Sequence, residues 1–127
     1  MRTVVLLAAA LALAPAVASA QADTVAGFLA RANAVREKGF FAMVVSSEGR
    51  EVQAEARRAS AAFKAQKHAR AAAGLPPVSC PNGQKLGPLA FLDELNRMPV
   101  AERRMTLAEG MAWVSRRRFP CQSPTPR

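Results

Sequence analysis

The chain has 127 residues, with 18 Lys and Arg against 9 Asp and Glu, a net charge of +9, and half of its residues hydrophobic. That length suits one domain and leaves no comfortable room for a second. With no Tyr and one Trp, it lacks the aromatics that nucleic-acid readers interleave with their cations, so no nucleic-acid partner is expected.

The first twenty residues read as a signal peptide. Arg2 supplies a short cationic start, Val4 to Ala14 an apolar core, and Ala18-Ser19-Ala20 a small-residue site that predicts cleavage before Gln21. The uninterrupted apolar run is shorter than the ~20 residues a spanning helix needs, and no charged stop-transfer signal follows it. No Cys lies just after the cleavage site, so a lipoprotein signal is absent. Cleavage leaves a single domain, residues 21–127, without a transmembrane segment, in the periplasm or secreted. Loss of Arg2 lowers the charge to +8, which still favours acidic partners such as phospholipid surfaces, cell-wall polymers, nucleic acid or an acidic protein, without choosing among them.

Beyond the cleavage site, Asp23 is placed to cap a first helix whose apolar residues, Val25, Phe28, Leu29, Ala32 and Val35, keep a helical period up to a stop at Gly39. Phe40 to Val45 is a continuous apolar run. With no second strand-like run to pair with, it reads as a short buried helix or turn. Ser47 to Ala73 is rich in strong helix formers and ends at Gly74, ahead of Pro76 and Pro77. Its apolar stripe is Val52, Ala56, Ala59 and Phe63, with Arg57, Arg58 and Lys64 mostly opposite. The stripe fades beyond Phe63, and Arg70 stands where the next core residue belongs, so the end of this helix is expected to project into water.

Leu75 to Gly87 reads as a loop pinned at Cys80. Pro88 fits the first position of a helix carrying Leu89, Leu92 and Leu95, widened by Phe91 and Met98 into an arc that predicts packing on two sides. Pro99 ends that helix, and a short connector runs to Arg104. Thr106 and Glu109 form a capping box for a last helix with core residues Leu107, Met111 and Val114. Arg116, Arg117 and Arg118 fall in its final turn, where cations favour the helix dipole. The fold class is therefore all-α, a small bundle of four to five helices.

In an oxidising compartment, cysteines as far apart as Cys80 and Cys121 usually pair. Two free thiols or a metal pair are the alternatives; there is no Cys-x-x-Cys, and the chain has a single histidine. A disulfide across that span contributes about 4 kcal/mol in the chain-entropy model.

Candidate chemistry is sparse. His68 lies between Lys67 and Arg70 with no nearby Asp, Glu, Ser or Cys to make a catalytic unit, and reads as a solvated surface residue. Glu51 and Glu55 are one turn apart, but Arg58 follows Glu55 at three residues, which reads as a salt-bridged helix surface. No Gly-x-Ser-x-Gly, phosphate-binding loop or His-Glu-x-x-His occurs. The expectation is a protein that is not an enzyme and uses no cofactor or metal. Trp113 falls about a third of a turn from the Leu107, Met111 and Val114 stripe. It is either a core residue against the long helix or an exposed aromatic anchor of a binding or dimer surface.

The segment from Cys80 onward carries, in order, Cys80-Pro81 with Gly83, then Leu86, Gly87 and Leu89, a leucine helix to Leu95, Pro99 with Arg103, the helix from Leu107 to Val114, and Phe119-Pro120-Cys121. This order resembles the helical immunity proteins of the Rap/Tai type, which neutralise cell-wall amidase effectors delivered by bacterial type VI secretion. The resemblance covers roughly the last third of the chain. It implies an all-helical periplasmic protein, often dimeric, that blocks an amidase through a loop, and it implies a bridge from Cys80 to Cys121. A second reading, from another class, is a non-enzymatic envelope protein whose basic helix binds anionic wall polymer or lipid, weakening with salt.

Overall fold

The structure is a computed structural model that describes residues 24–122. The signal-peptide reading at residues 1–20 and the expected cap Asp23 therefore lie outside the described residues. Among the described residues five α-helices follow one another: α1 (Val25–Glu37), α2 (Phe40–Val45), α3 (Ser47–Ala72), α4 (Pro88–Asn96) and α5 (Leu107–Arg118), with a 3-10 turn at Val100–Glu102 between the last two. Among the described residues there is no strand, only an isolated antiparallel bridge between Thr24 and Thr106. The all-α class expected from sequence is the class observed.

The cap of α1 is Thr24, whose Oγ1 accepts from Gly27 N at 3.2 Å. Thr24 holds an extended conformation, the one a cap needs, and its bridge to Thr106 fixes it there. Two further N–H groups of the first turn, which no helix can satisfy internally, are taken by the connector before α5: Val25 N donates to Met105 O at 3.0 Å and Ala26 N to Arg103 O at 2.9 Å. The start of α1 is thus tied to the start of α5, although some eighty residues separate them.

All five apolar residues expected on α1 are buried. With Val52 and Ala59 of α3, Leu92 and Leu95 of α4, Met98 just after it, and Leu107 and Val114 of α5, they form one core. Leu95 and Val25 are wholly inaccessible to solvent, and each such side chain contributes about 1.5–3 kcal/mol of transfer free energy. Phe63 leads a smaller cluster with Ala108 and Ala112, flanked by Val78 and Met111. Helix α4 packs against both α1 and α5, as its wide arc predicts.

Three expectations are corrected. The run Phe40 to Val45 does form a helix, but none of it is buried. It is less than two turns long and apolar all round, and α1 and α3, which pack against it, cover only part of its surface. Leu89 is exposed, because the buried arc of α4 is centred on Leu92, Glu94 and Leu95. Glu55 is not a surface residue: it is buried in the same layer as the Val52 and Ala59 stripe, and its partner is Arg31 of α1 rather than Arg58.

Cys80 and Cys121 form a disulfide, with their Cα atoms 4.9 Å apart. Beside it, Cys80 N donates to Phe119 O at 2.8 Å, so the loop is held to the end of α5 by backbone as well as sulfur. Within that loop, Asn82 and Gly83 both take positive φ in a turn closed by Gln84 N on Pro81 O at 2.9 Å. Glycine at 83 takes this conformation without a steric cost, and asparagine tolerates it better than most residues.

Candidate functional site

Helix α2 is the most conspicuous exposed apolar feature. Phe40 and Phe41 keep 78% and 75% of their surface in water, and Val44 and Val45 remain about half exposed at 53% and 52%. The helix is nonetheless held firmly from below. Gln53 Nε2 donates to Met43 O at 2.7 Å, Ala42 and Met43 pack on the core, and Ser46 caps α3 by accepting from Gly49 N at 2.9 Å. Gly49 allows this close seating: a Cβ there would drive into the backbone carbonyls of Ala42 and Met43. The chain thus builds a rigid support for four apolar side chains that face solvent. The sequence signal for this was the absence of any polar residue in Phe40–Val45 in a segment too short to be wrapped on all sides.

Trp113 lies half-buried on α5, packed against the main core, with the guanidinium of Arg117 4.6 Å from its ring centroid. That stacking places a cation over the indole face that the core leaves open. Close by, the buried carboxylate of Glu94 receives three guanidinium groups. Arg97 is 2.9 Å away, Arg118 3.3 Å and Arg117 3.9 Å. The last-turn arginines therefore do more than complement the helix dipole: two of them lock α5 onto α4 through one carboxylate. Such a pair is costly to break from one side, since a buried charge would remain without its partner.

Arg103, one of the residues carrying the family resemblance, donates from Nε to Met98 O at 2.9 Å and from Nη2 to Asn96 O at 2.8 Å. It closes the carbonyl end of α4, where no further helical N–H is available. Asn96 and Asn33 exchange amide hydrogen bonds at 2.9 and 3.1 Å and join α4 to α1. These contacts orient α4.

Glu55 and Arg31 pair between α3 and α1, and Glu55 Oε1 is buried without a hydrogen-bond partner among the described residues. Glu51 is exposed, one turn away, and does not join it. His68 is exposed on α3, as expected. Two concavities lie along the second half of α3. One is a cleft of about 130 Å³ against the loop residues Leu75, Pro77, Val78 and Ser79, and the other is an open groove past Ser60, Lys64 and His68. Among the described residues no group of His, Cys, Asp and Glu could hold a metal ion, and no helix is long and apolar enough to cross a membrane. Glu48, at the first turn of α3, has its carboxyl held below the usual range by its backbone hydrogen bond, the hydroxyl of Ser47 and the charge of Lys38.

No protein-family model matches the chain, and neither a curated protein nor a solved structure matches it.

Proposed function

We propose that the mature chain is a periplasmic immunity-like protein that binds a cell-wall amidase effector of type VI secretion and occludes it by contact alone, without catalysis or cofactor. The observation that carries this reading is the rigidly seated, exposed apolar surface of α2. Aromatic side chains presented on a fixed support lose little conformational freedom on binding, which is what an anchor of a protein interface requires. The bridge from Cys80 to Cys121 is also the one the family resemblance implies. Trp113, half-buried beneath the guanidinium of Arg117, is the second contact residue we assign to the partner.

The test is a pull-down with tagged residues 21–127 from the envelope fraction of the source organism at moderate salt, followed by mass spectrometry. Recovery of a cell-wall amidase in near-equal amount is the expected outcome, and Phe40→Ser/Phe41→Ser should abolish it while the helical circular dichroism stays unchanged. Retention of no amidase sinks the reading. Trp113→Ala should weaken the same complex in a folded protein. A large loss of stability instead would make Trp113 a packing residue only.

A further inference from the structure

The stretch from Ala56 to Leu92 contains no Asp or Glu, yet α3 carries Arg57, Arg58, Lys64, Lys67 and Arg70 within it. None of the five takes part in an ion pair; the pairs of the described residues are made by Arg31, Arg36, Arg97, Arg117 and Arg118. Lys67 lies over the ring of Phe63 at 4.8 Å, and Arg70 donates to Pro76 O at 2.8 and 3.1 Å, so these two are fixed in place while keeping their charge. Projected down the helix at about 100° per residue, Arg57, Lys64 and His68 fall within about 40° of one line, and Val52, Ala59 and Phe63 fall on the opposite side. Along the axis the three are separated by about 10 Å and 6 Å. This is an exposed row of two cations, Arg57 and Lys64, continued by His68, and no carboxylate lies in its own segment.

We propose that this row on α3 is a binding site for a flexible polymer bearing repeated phosphate groups, held through its charges and not through its repeat units. The inference does not rest on the immunity reading, since it concerns the face of α3 from Arg57 to His68 and not α2. The surrounding surface excludes the other classes of occupant. A protein interface is organised around a desolvated apolar centre, but the groove beside Lys64 and His68 is lined by Ser60, Ala71 and Lys67 over a buried Phe63, which offers no exposed apolar anchor. A helix that lies in a bilayer buries Trp, Phe or Leu from its opposite face, and here that face holds Phe63 against Ala108 and Ala112. Stacking of bases needs exposed aromatics, and the row has none. What remains is Coulombic contact with successive anions, which a flexible chain can make by following the row.

The experiment is fluorescence anisotropy of labelled long-chain inorganic polyphosphate with the purified protein across a salt series. Engagement of phosphates by Arg57 and Lys64 predicts that log K falls against log salt with a slope of roughly −1 to −2. Arg57→Glu/Lys64→Glu should weaken binding at least tenfold. Lys85→Glu/Arg104→Glu changes net charge by the same amount at two exposed positions off the row, and should weaken it less than threefold. Circular dichroism checks that both variants keep their helices. If either loses helix, the neutral Arg57→Gln/Lys64→Gln pair, compared with Lys85→Gln/Arg104→Gln, replaces it and should show the same ordering. Equal losses in the two double variants would reduce the effect to net charge and overturn the site. So would absence of polyphosphate binding, with or without binding to anionic phospholipid vesicles.

Discussion

The two halves of α3 are built from the same helix-forming residues and are put to opposite uses. Its first half is clasped: α1 and α2 lie against it, Gly49 lets the α2 backbone approach, and Arg31 reaches Glu55 across the layer. From Phe63 onward the side chains are almost all exposed, and only Arg70 folds back to the following loop. A helix of 26 residues is about 39 Å long, more than the shorter helices around it can cover. The covered half carries an apolar element outward on its back, whereas the uncovered half displays cations. Rigidity at the first end comes from packing, and at the second from helix propensity and from the disulfide that pins the next loop.

Breaking that comparison at the disulfide should produce the largest effect. With a sequence separation of 41 between the cysteines, the chain-entropy model puts the loss in a Cys80→Ala/Cys121→Ala variant at about 4 kcal/mol. Thermal unfolding would read this as a fall in Tm, while hydrogen exchange should show the loop 75–87 opening first and α2 staying protected. Simultaneous loss of protection at α2 would mean that the two halves form one cooperative unit.

Gly49→Ala strikes the other half. Its new Cβ meets backbone carbonyls of Ala42 and Met43, which cannot rotate away as a side chain would. Overpacking of this kind costs about 1–3 kcal/mol, and the strain should be relieved by displacement of α2. Chemical-denaturant unfolding gives the cost, and quenching or labelling at Phe41→Cys in the same background would report the displacement. Gly110 is a similar close approach on α5, where an added Cβ would lie 2.6 Å from Val25 Cγ2. The contact there is a side chain, so Gly110→Ala should be milder than Gly49→Ala.

These glycines also mark where sequence reading stops. The periods of α1 and α5, the Thr106 capping box, the length of α3 and its fading stripe were all legible, because each is a local pattern whose spacing encodes one face. Burial of Glu55 and Glu94 was not, because a carboxylate looks like surface until an arginine from another helix is known to reach it. Nor was the exposure of Phe40 and Phe41: apolar composition sets a preference for burial, but whether a partner layer exists is decided by the placement of α1 and α3 around it. Leu89 misleads for the same reason in reverse, since it keeps the leucine period and still lies outside the contact arc. The cation row was visible as composition and the projecting end of α3 as a fading stripe; what the structure adds is that none of these cations finds a carboxylate among the described residues.

A pair of near-silent changes sharpens the comparison further. Phe41→Ser removes an exposed ring that contributes little to the core, so its effect on stability should stay within about 0.5 kcal/mol, separating the role of α2 as a surface from any role in folding. The smallest effect should come from Glu48, at the clasped end of α3. Its folded-state carboxyl titrates below the ordinary value of 4.5, first through its backbone hydrogen bond, then through Ser47 and Lys38. A carboxylate whose pKa is lowered by folding stabilises the fold above its unfolded pKa and loses that contribution as pH falls through the folded one. The difference in unfolding free energy between wild type and Glu48→Gln should therefore be constant above about pH 5.5 and decline on acidification below the unfolded value. Because the group is fully solvated, salt should flatten the Lys38 part of the difference and leave the part due to the hydrogen bonds at the helix start. A difference that grew on acidification would mean that Glu48 is charged at a cost to the fold, and that the first turn of α3 is held by Ser46 and the α2 contacts alone.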